Sequence, residues 1–83
     1  MGASDESVSV EATRREQYSR FARQAEPRLH IALAAAVGHE FGADATAEAL
    51  AYGWEHWERI EQMENPVGYL YRVGRTSVRA PRR

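Results

Sequence analysis

Groups able to recognise another molecule crowd into the stretch from Trp54 to Arg75, WEHWERIEQMENPVGYLYRVGR. It joins the amide-bearing segment Gln62, Met63, Glu64 and Asn65 to an aromatic at Tyr69 and to arginines at Arg72, Arg75 and, just beyond, Arg79. Amide and aromatic faces stack on unpaired bases while guanidinium groups follow the phosphates, so the chemistry on offer is that of binding opened DNA. Charge divides along the same line. His39 to Glu64 carries seven acids against the single Arg59, whereas Asn65 to Arg83 carries five arginines and no acid. One acidic and one basic binding face are therefore expected.

Catalytic chemistry finds little support. His39-Glu40 opens like a zinc-protease HExxH, but Ala43 stands where the second histidine ligand belongs. His30, His39 and His56 are scattered, and the chain has neither a glycine-rich phosphate loop nor a nucleophile with a partnered base. The expectation is a protein that is not an enzyme and holds no cofactor or metal. With no cysteine there is no disulfide framework and no thiolate metal site, which suits a cytoplasmic location. The longest apolar run, Ile31 to Val37, is too short to cross a bilayer. The polar, acidic opening MGASDESVSV predicts no export signal, and Glu6 breaks the myristoylation pattern.

These groups must be positioned by a small framework. A chain of 83 residues is one domain, and at this size folding buries only roughly 60% of the surface of the unfolded chain. Residues 1 to 10 are too polar to order, so the helical domain is expected over 11–83. From Glu11, Tyr18, Phe21, Ala22, Ala25, Leu29, Ala32, Leu33 and Ala36 recur at three- and four-residue steps, which predicts a helix with one apolar stripe. Pro27 predicts a kink or short break near Gln24, and the alanines beside Leu33 allow a neighbouring helix to approach closely. Asp44 reads as the N-cap of a second helix running to about Gln62, with Leu50, Gly53, Trp54, Trp57 and Ile60 turned inward. Asn65 caps the next helix with Pro66 in its first turn. That helix sets Val67, Leu70, Tyr71, Gly74 and Val78 largely opposite Arg72, Arg75 and Arg79, and Pro81 stops it. The fold class is all-α, a bundle of three helices, or four if Pro27 divides the first, with Phe21, Leu29, Leu33, Leu50, Trp54, Trp57 and Leu70 in the core.

At these residues the chain resembles a known family. Glu48-Ala49-Leu50 with Trp54-Glu55-His56-Trp57-Glu58-Arg59-Ile60, followed by Tyr69-Leu70-Tyr71-Arg72-Val73-Gly74-Arg75, is similar to region two of bacterial RNA polymerase sigma factors of the extracytoplasmic-function (ECF) class. Glu26-Pro27-Arg28-Leu29 resembles the start of that family's first core helix, so the likeness spans about Tyr18 to Arg79. The resemblance implies a small helical bundle of the sigma region two type. It implies recognition and opening of the promoter minus-ten element, with an unpaired base of the non-template strand held by the loop before the last helix. Gln62, Met63, Glu64, Asn65 and Tyr69 would then meet bases, and Arg72, Arg75 and Arg79 the phosphates. It also implies docking of the acidic helix on the coiled coil of the RNA polymerase largest subunit through Asp44 and Glu48, with Leu50 and Trp54 nearby, and an anti-sigma factor as a further partner.

The chain departs from the family pattern at five positions. Ala47 replaces a glutamine, Phe41 and Ala43 replace acids, Tyr69 replaces a tryptophan and Thr76 an asparagine. The second, helix-turn-helix domain of the family has no counterpart in these residues, which makes the chain an expected excised domain or natural fragment. The competing reading is a sigma-like helical regulator that binds protein and not DNA. It requires the arginines of the last helix to be paired internally with Glu58, Glu61 and Glu64.

Overall fold

The computed structural model describes residues 2–77, which form four helices and no strand: α1 (Gly2–Val37), α2 (His39–Glu55), α3 (Trp57–Ile60) and α4 (Pro66–Ser77). This is a small all-α bundle. α1 and α2 make an antiparallel hairpin, and α4 packs across both. The long axis of 56 Å is close to what a 36-residue helix spans at about 1.5 Å per residue.

α1 is longer and less interrupted than its sequence predicts. It begins at Gly2 rather than Glu11, because no proline breaks the opening residues and a helix anchored further along propagates cheaply. Residues 9–13 are exposed. Pro27 lies inside α1 and does not divide it. The proline removes the hydrogen bond to the carbonyl of Arg23, yet Arg23 and Pro27 are both exposed, so water can satisfy that carbonyl. Ala25 and Leu29, buried on the opposite side, hold the two turns together.

The second helix starts earlier than expected. Gly38 turns the chain with φ 102° and ψ 152°, a conformation open essentially to glycine alone, and α2 follows at once from His39. Asp44 is therefore an exposed interior residue of α2 and not its cap. The start is brought forward by tertiary packing, since Gly42 lies so close to Ala34 that an added Cβ would stand 2.9 Å from that residue's Cα. The small residues near the end of α1 do permit the close crossing expected of them.

Nor does the second helix run unbroken to Gln62. At His56 (φ −118°, ψ 27°) it breaks, and Trp57–Ile60 forms the separate α3. The fourth helix therefore comes from this break and not from Pro27. Asn65 caps α4 as predicted: its side-chain oxygen accepts a hydrogen bond from Gly68 N–H at 3.0 Å, and Pro66 is the first helical residue. The expected contributions of Val78, Arg79 and Pro81 lie outside the described residues.

Leu29, Leu33, Ile60 and Leu70 are the largest fully buried side chains, joined by Tyr18, Ala25, Ala45, Ala49 and Trp57. Phe21, Leu50 and Trp54, expected in the core, are only half-buried at its edge. Alanines occupy the closest crossing on α2, and this pushes its larger side chains outward to the rim. Ala36 is exposed as well.

Tyr18, the first residue of the apolar stripe read from the sequence, is a core member. Its hydroxyl donates to the carbonyl of Leu50, its ring meets Phe21, Trp54 and Trp57 at 5.1 to 5.7 Å, and burial pushes its phenol up to about 12. The raised value means that the folded state favours the neutral phenol. That contribution is intact below the ordinary tyrosine value of about 10 and is lost as pH rises toward 12. Denaturant unfolding between pH 9 and 12 should show this decline, and Tyr18→Phe should flatten it; an unchanged slope in the variant would place the loss elsewhere.

Candidate nucleic-acid interface

α3 and α4 are joined by a turn in which Gln62 N–H donates to the Arg59 carbonyl at 3.3 Å and Met63 N–H to the Ile60 carbonyl at 3.1 Å. Gln62, Glu64 and Asn65 are exposed, whereas Met63 is half-buried and packed on the core. The Asn65 oxygen is committed to the cap of α4, which leaves its amide nitrogen as the donor available for recognition. α4 then sends Leu70 and Gly74 into the core and leaves Arg72 and Arg75 exposed. The Arg75 guanidinium sits 5.6 Å from the Tyr71 ring centre, on the π-face of its neighbour. Arg79 lies outside the described residues.

Between α2 and α4 a cleft of about 410 Å³ is lined by Tyr52, Tyr69, Arg72, Val73, Thr76 and Ser77. Tyr52 comes from α2 and faces Tyr69 across the helix interface, their hydroxyl oxygens 3.2 Å apart. Arg59 of α3 donates from Nη2 to the Tyr52 hydroxyl at 3.1 Å and places its guanidinium 5.8 Å from the Tyr69 ring centre. The His56 ring lies 4.2 Å from that of Tyr52. Hydrogen bonds from Tyr52 and Arg59, aided by the charges of Arg59 and Arg72, draw the Tyr69 phenol below its ordinary value. The same bonds hold Arg59 more firmly in its charged form.

None of the acids of α2 lines this cleft, although Asp44 and Glu48 precede Tyr52 at four-residue steps along the helix. Glu40, Asp44, Glu48 and Glu55 are all exposed on α2, with Asp44 and Glu48 one turn apart. Leu50 lines a groove of about 590 Å³ between α1 and α2, together with Ala43 and Ala47. Trp54 is covered: Arg14 of α1 lays its guanidinium 4.2 Å from the indole centre and donates to the Trp54 carbonyl at 3.1 Å. Asp44 and Glu48 do not line that groove between α1 and α2, so Leu50 lies on another face of α2 from them, and one face of Trp54 is occupied by the chain itself.

Sequence reasoning missed Tyr52, Arg59 and His56 as members of the basic side, and Arg14 as the cover of Trp54. A signal for the first three was present in the spacing, since positions 52, 56 and 59 follow steps of four and three along one helical face. Nothing local could have announced Arg14, which reaches Trp54 from forty positions away. Among the described residues no group of three or more His, Asp or Glu side chains could hold a metal ion, and no helix is long and apolar enough to cross a membrane. Comparison with known proteins finds no matching family model, no similar curated protein and no similar solved structure.

Proposed function

We propose that this chain is a sigma region two-like module of the ECF type, which recognises and opens the promoter minus-ten element in the cytoplasm. It holds the separated non-template strand in the cleft between α2 and α4. The observation that carries the reading is the cleft itself, where two tyrosines and the exposed Arg72 meet at the helix that the exposed residues Gln62, Glu64 and Asn65 lead into. Aromatic faces next to a cation track are what a single strand requires. The exposure of Arg72 and Arg75 favours this reading over a protein-binding regulator, which needs those charges paired within the bundle. The acidic face of α2, with Asp44 and Glu48 at its centre, serves as the docking surface for the coiled coil of the RNA polymerase largest subunit, with Leu50 on the same helix as a further contact. An anti-sigma factor would compete for one of these faces. The module has no catalytic role.

Fluorescence anisotropy with labelled minus-ten strands tests the proposal. Arg72→Gln should weaken binding to favoured and scrambled strands alike, and should lower the logarithmic salt slope by about 0.7, the value for one phosphate contact on a single strand. Wild-type protein that binds no strand at low salt, alone or with polymerase present, would remove DNA from the account.

A further inference from the structure

Protons in the cluster of Arg59, Tyr52 and Tyr69 can be counted. A guanidinium only donates, so the Tyr52 oxygen, 3.1 Å from Arg59 Nη2, is an acceptor in that bond. Its own proton is then free for the Tyr69 oxygen 3.2 Å away. With that bond made, the Tyr69 proton has no partner among the described residues and can turn into the cleft that Arg72 shares. The reverse order would have Tyr52 accept twice and donate outward itself. The Arg59 bond favours the first order, because an oxygen that accepts from a cation becomes the stronger donor and the poorer second acceptor.

We infer that Arg59 and Tyr52 are positioning residues for a phosphate subsite in which the Tyr69 hydroxyl donates to a phosphodiester oxygen of the bound strand while Arg72 neutralises its charge. The inference rests on the strand-binding reading above and assigns Tyr69 a role distinct from base stacking. Arg59 and the Tyr52 ring, whose centre is 6.2 Å away, lie beside the Tyr69 ring, and the hydroxyl is a second group that this side chain offers to a strand besides its aromatic face. The bond is to the backbone of the strand, so it contributes affinity without base preference.

The test uses the full chain in two measurements. Ultraviolet titration without DNA should show one of the four tyrosines ionising below the ordinary value; Tyr52→Phe and Arg59→Gln should each move it back up. Anisotropy should then show Tyr69→Phe weakening favoured and scrambled strands equally, by about tenfold, the usual effect of losing a hydrogen bond to a charged group. Tyr52→Phe should give a smaller loss, and a strand with a single neutral methylphosphonate at the contacted linkage should be insensitive to Tyr69→Phe.

Wild-type affinity should also fall as pH rises through the lowered Tyr69 value, because a phenolate cannot donate and repels phosphate. Tyr52, His56, Arg59 and Arg72 are the charged or titratable groups facing Tyr69 or its partner, and a His56→Gln control, expected to keep the profile, isolates the phenol. Strand binding unaffected by Tyr69→Phe overturns the subsite, as does an early-ionising tyrosine that persists in Tyr52→Phe. Wild-type protein that binds no strand, while its early-ionising tyrosine disappears in Tyr52→Phe, overturns the strand-binding reading and its phosphate and leaves the hydrogen-bond chain intact.

Discussion

Trp57→Ala should lose most or all of the fold. Its side chain is 7% exposed and meets Tyr18 and Phe21, each with ring centres 5.1 Å away, so truncation empties the aromatic end of the core. Removing a buried tryptophan costs about 3 to 5 kcal/mol. A chain of this length has only about 4 to 12 kcal/mol of stability in total. Trp54→Ala should cost about half as much, because that indole is half-buried and the Arg14 hydrogen bond goes to its backbone carbonyl, which survives the substitution. The indole N–H of Trp57 is buried without a hydrogen-bond partner, so Trp57→Phe should be much milder than Trp57→Ala. Denaturant melts of the three variants decide the order. A Trp54→Ala loss larger than that of Trp57→Ala would contradict the packing described for the aromatic end.

Leu33→Ala should cost about 2 to 5 kcal/mol and should loosen α4 specifically. Leu33 is fully buried and fills the space left by Gly74, where an added Cβ would stand 2.7 Å from Leu33 Cδ1 and 3.0 Å from the Ala45 carbonyl oxygen. Gly74→Ala alone gains about 1 kcal/mol of helix propensity but meets an overpacking cost of about 1 to 3 kcal/mol, so it should destabilise. In the Leu33→Ala background most of that collision is gone, and the same substitution should become neutral or favourable. The two changes should therefore couple by about 1 kcal/mol or more in a double-mutant cycle. Additive costs would mean that Leu33 does not set the seat of α4. The cycle also reports on the cleft, because Tyr69 and Arg72 lie on α4 and move with it.

Much of this architecture was legible residue by residue. Steps of three and four from Tyr18 to Leu33 predicted the inward face of α1, and Asn65-Pro66 predicted the start of α4, because caps and helical periodicity are enforced by the nearest few residues. The exposure of Arg72 and Arg75 opposite Leu70 and Gly74 followed from the same period. Where size was taken as the guide to burial, it misled. Leu50 and Trp54, expected inward, are only half-buried, whereas Ala45 and Ala49 are fully buried and Gly53 is buried as expected.

By itself, then, the sequence determined that the chain is helical, where its last helix begins, and that a basic surface follows an acidic one. Tertiary structure alone decided which face of α2 turns inward, that the chain breaks at His56 without proline or glycine, and that Tyr52 comes to face Tyr69 from seventeen positions away. The physical reason is one of range. Helical period and capping act over three or four residues and are written along one segment, whereas the closeness of two helices depends on small residues meeting across them, as Gly42 meets Ala34, and those pairs exist only once the helices have packed.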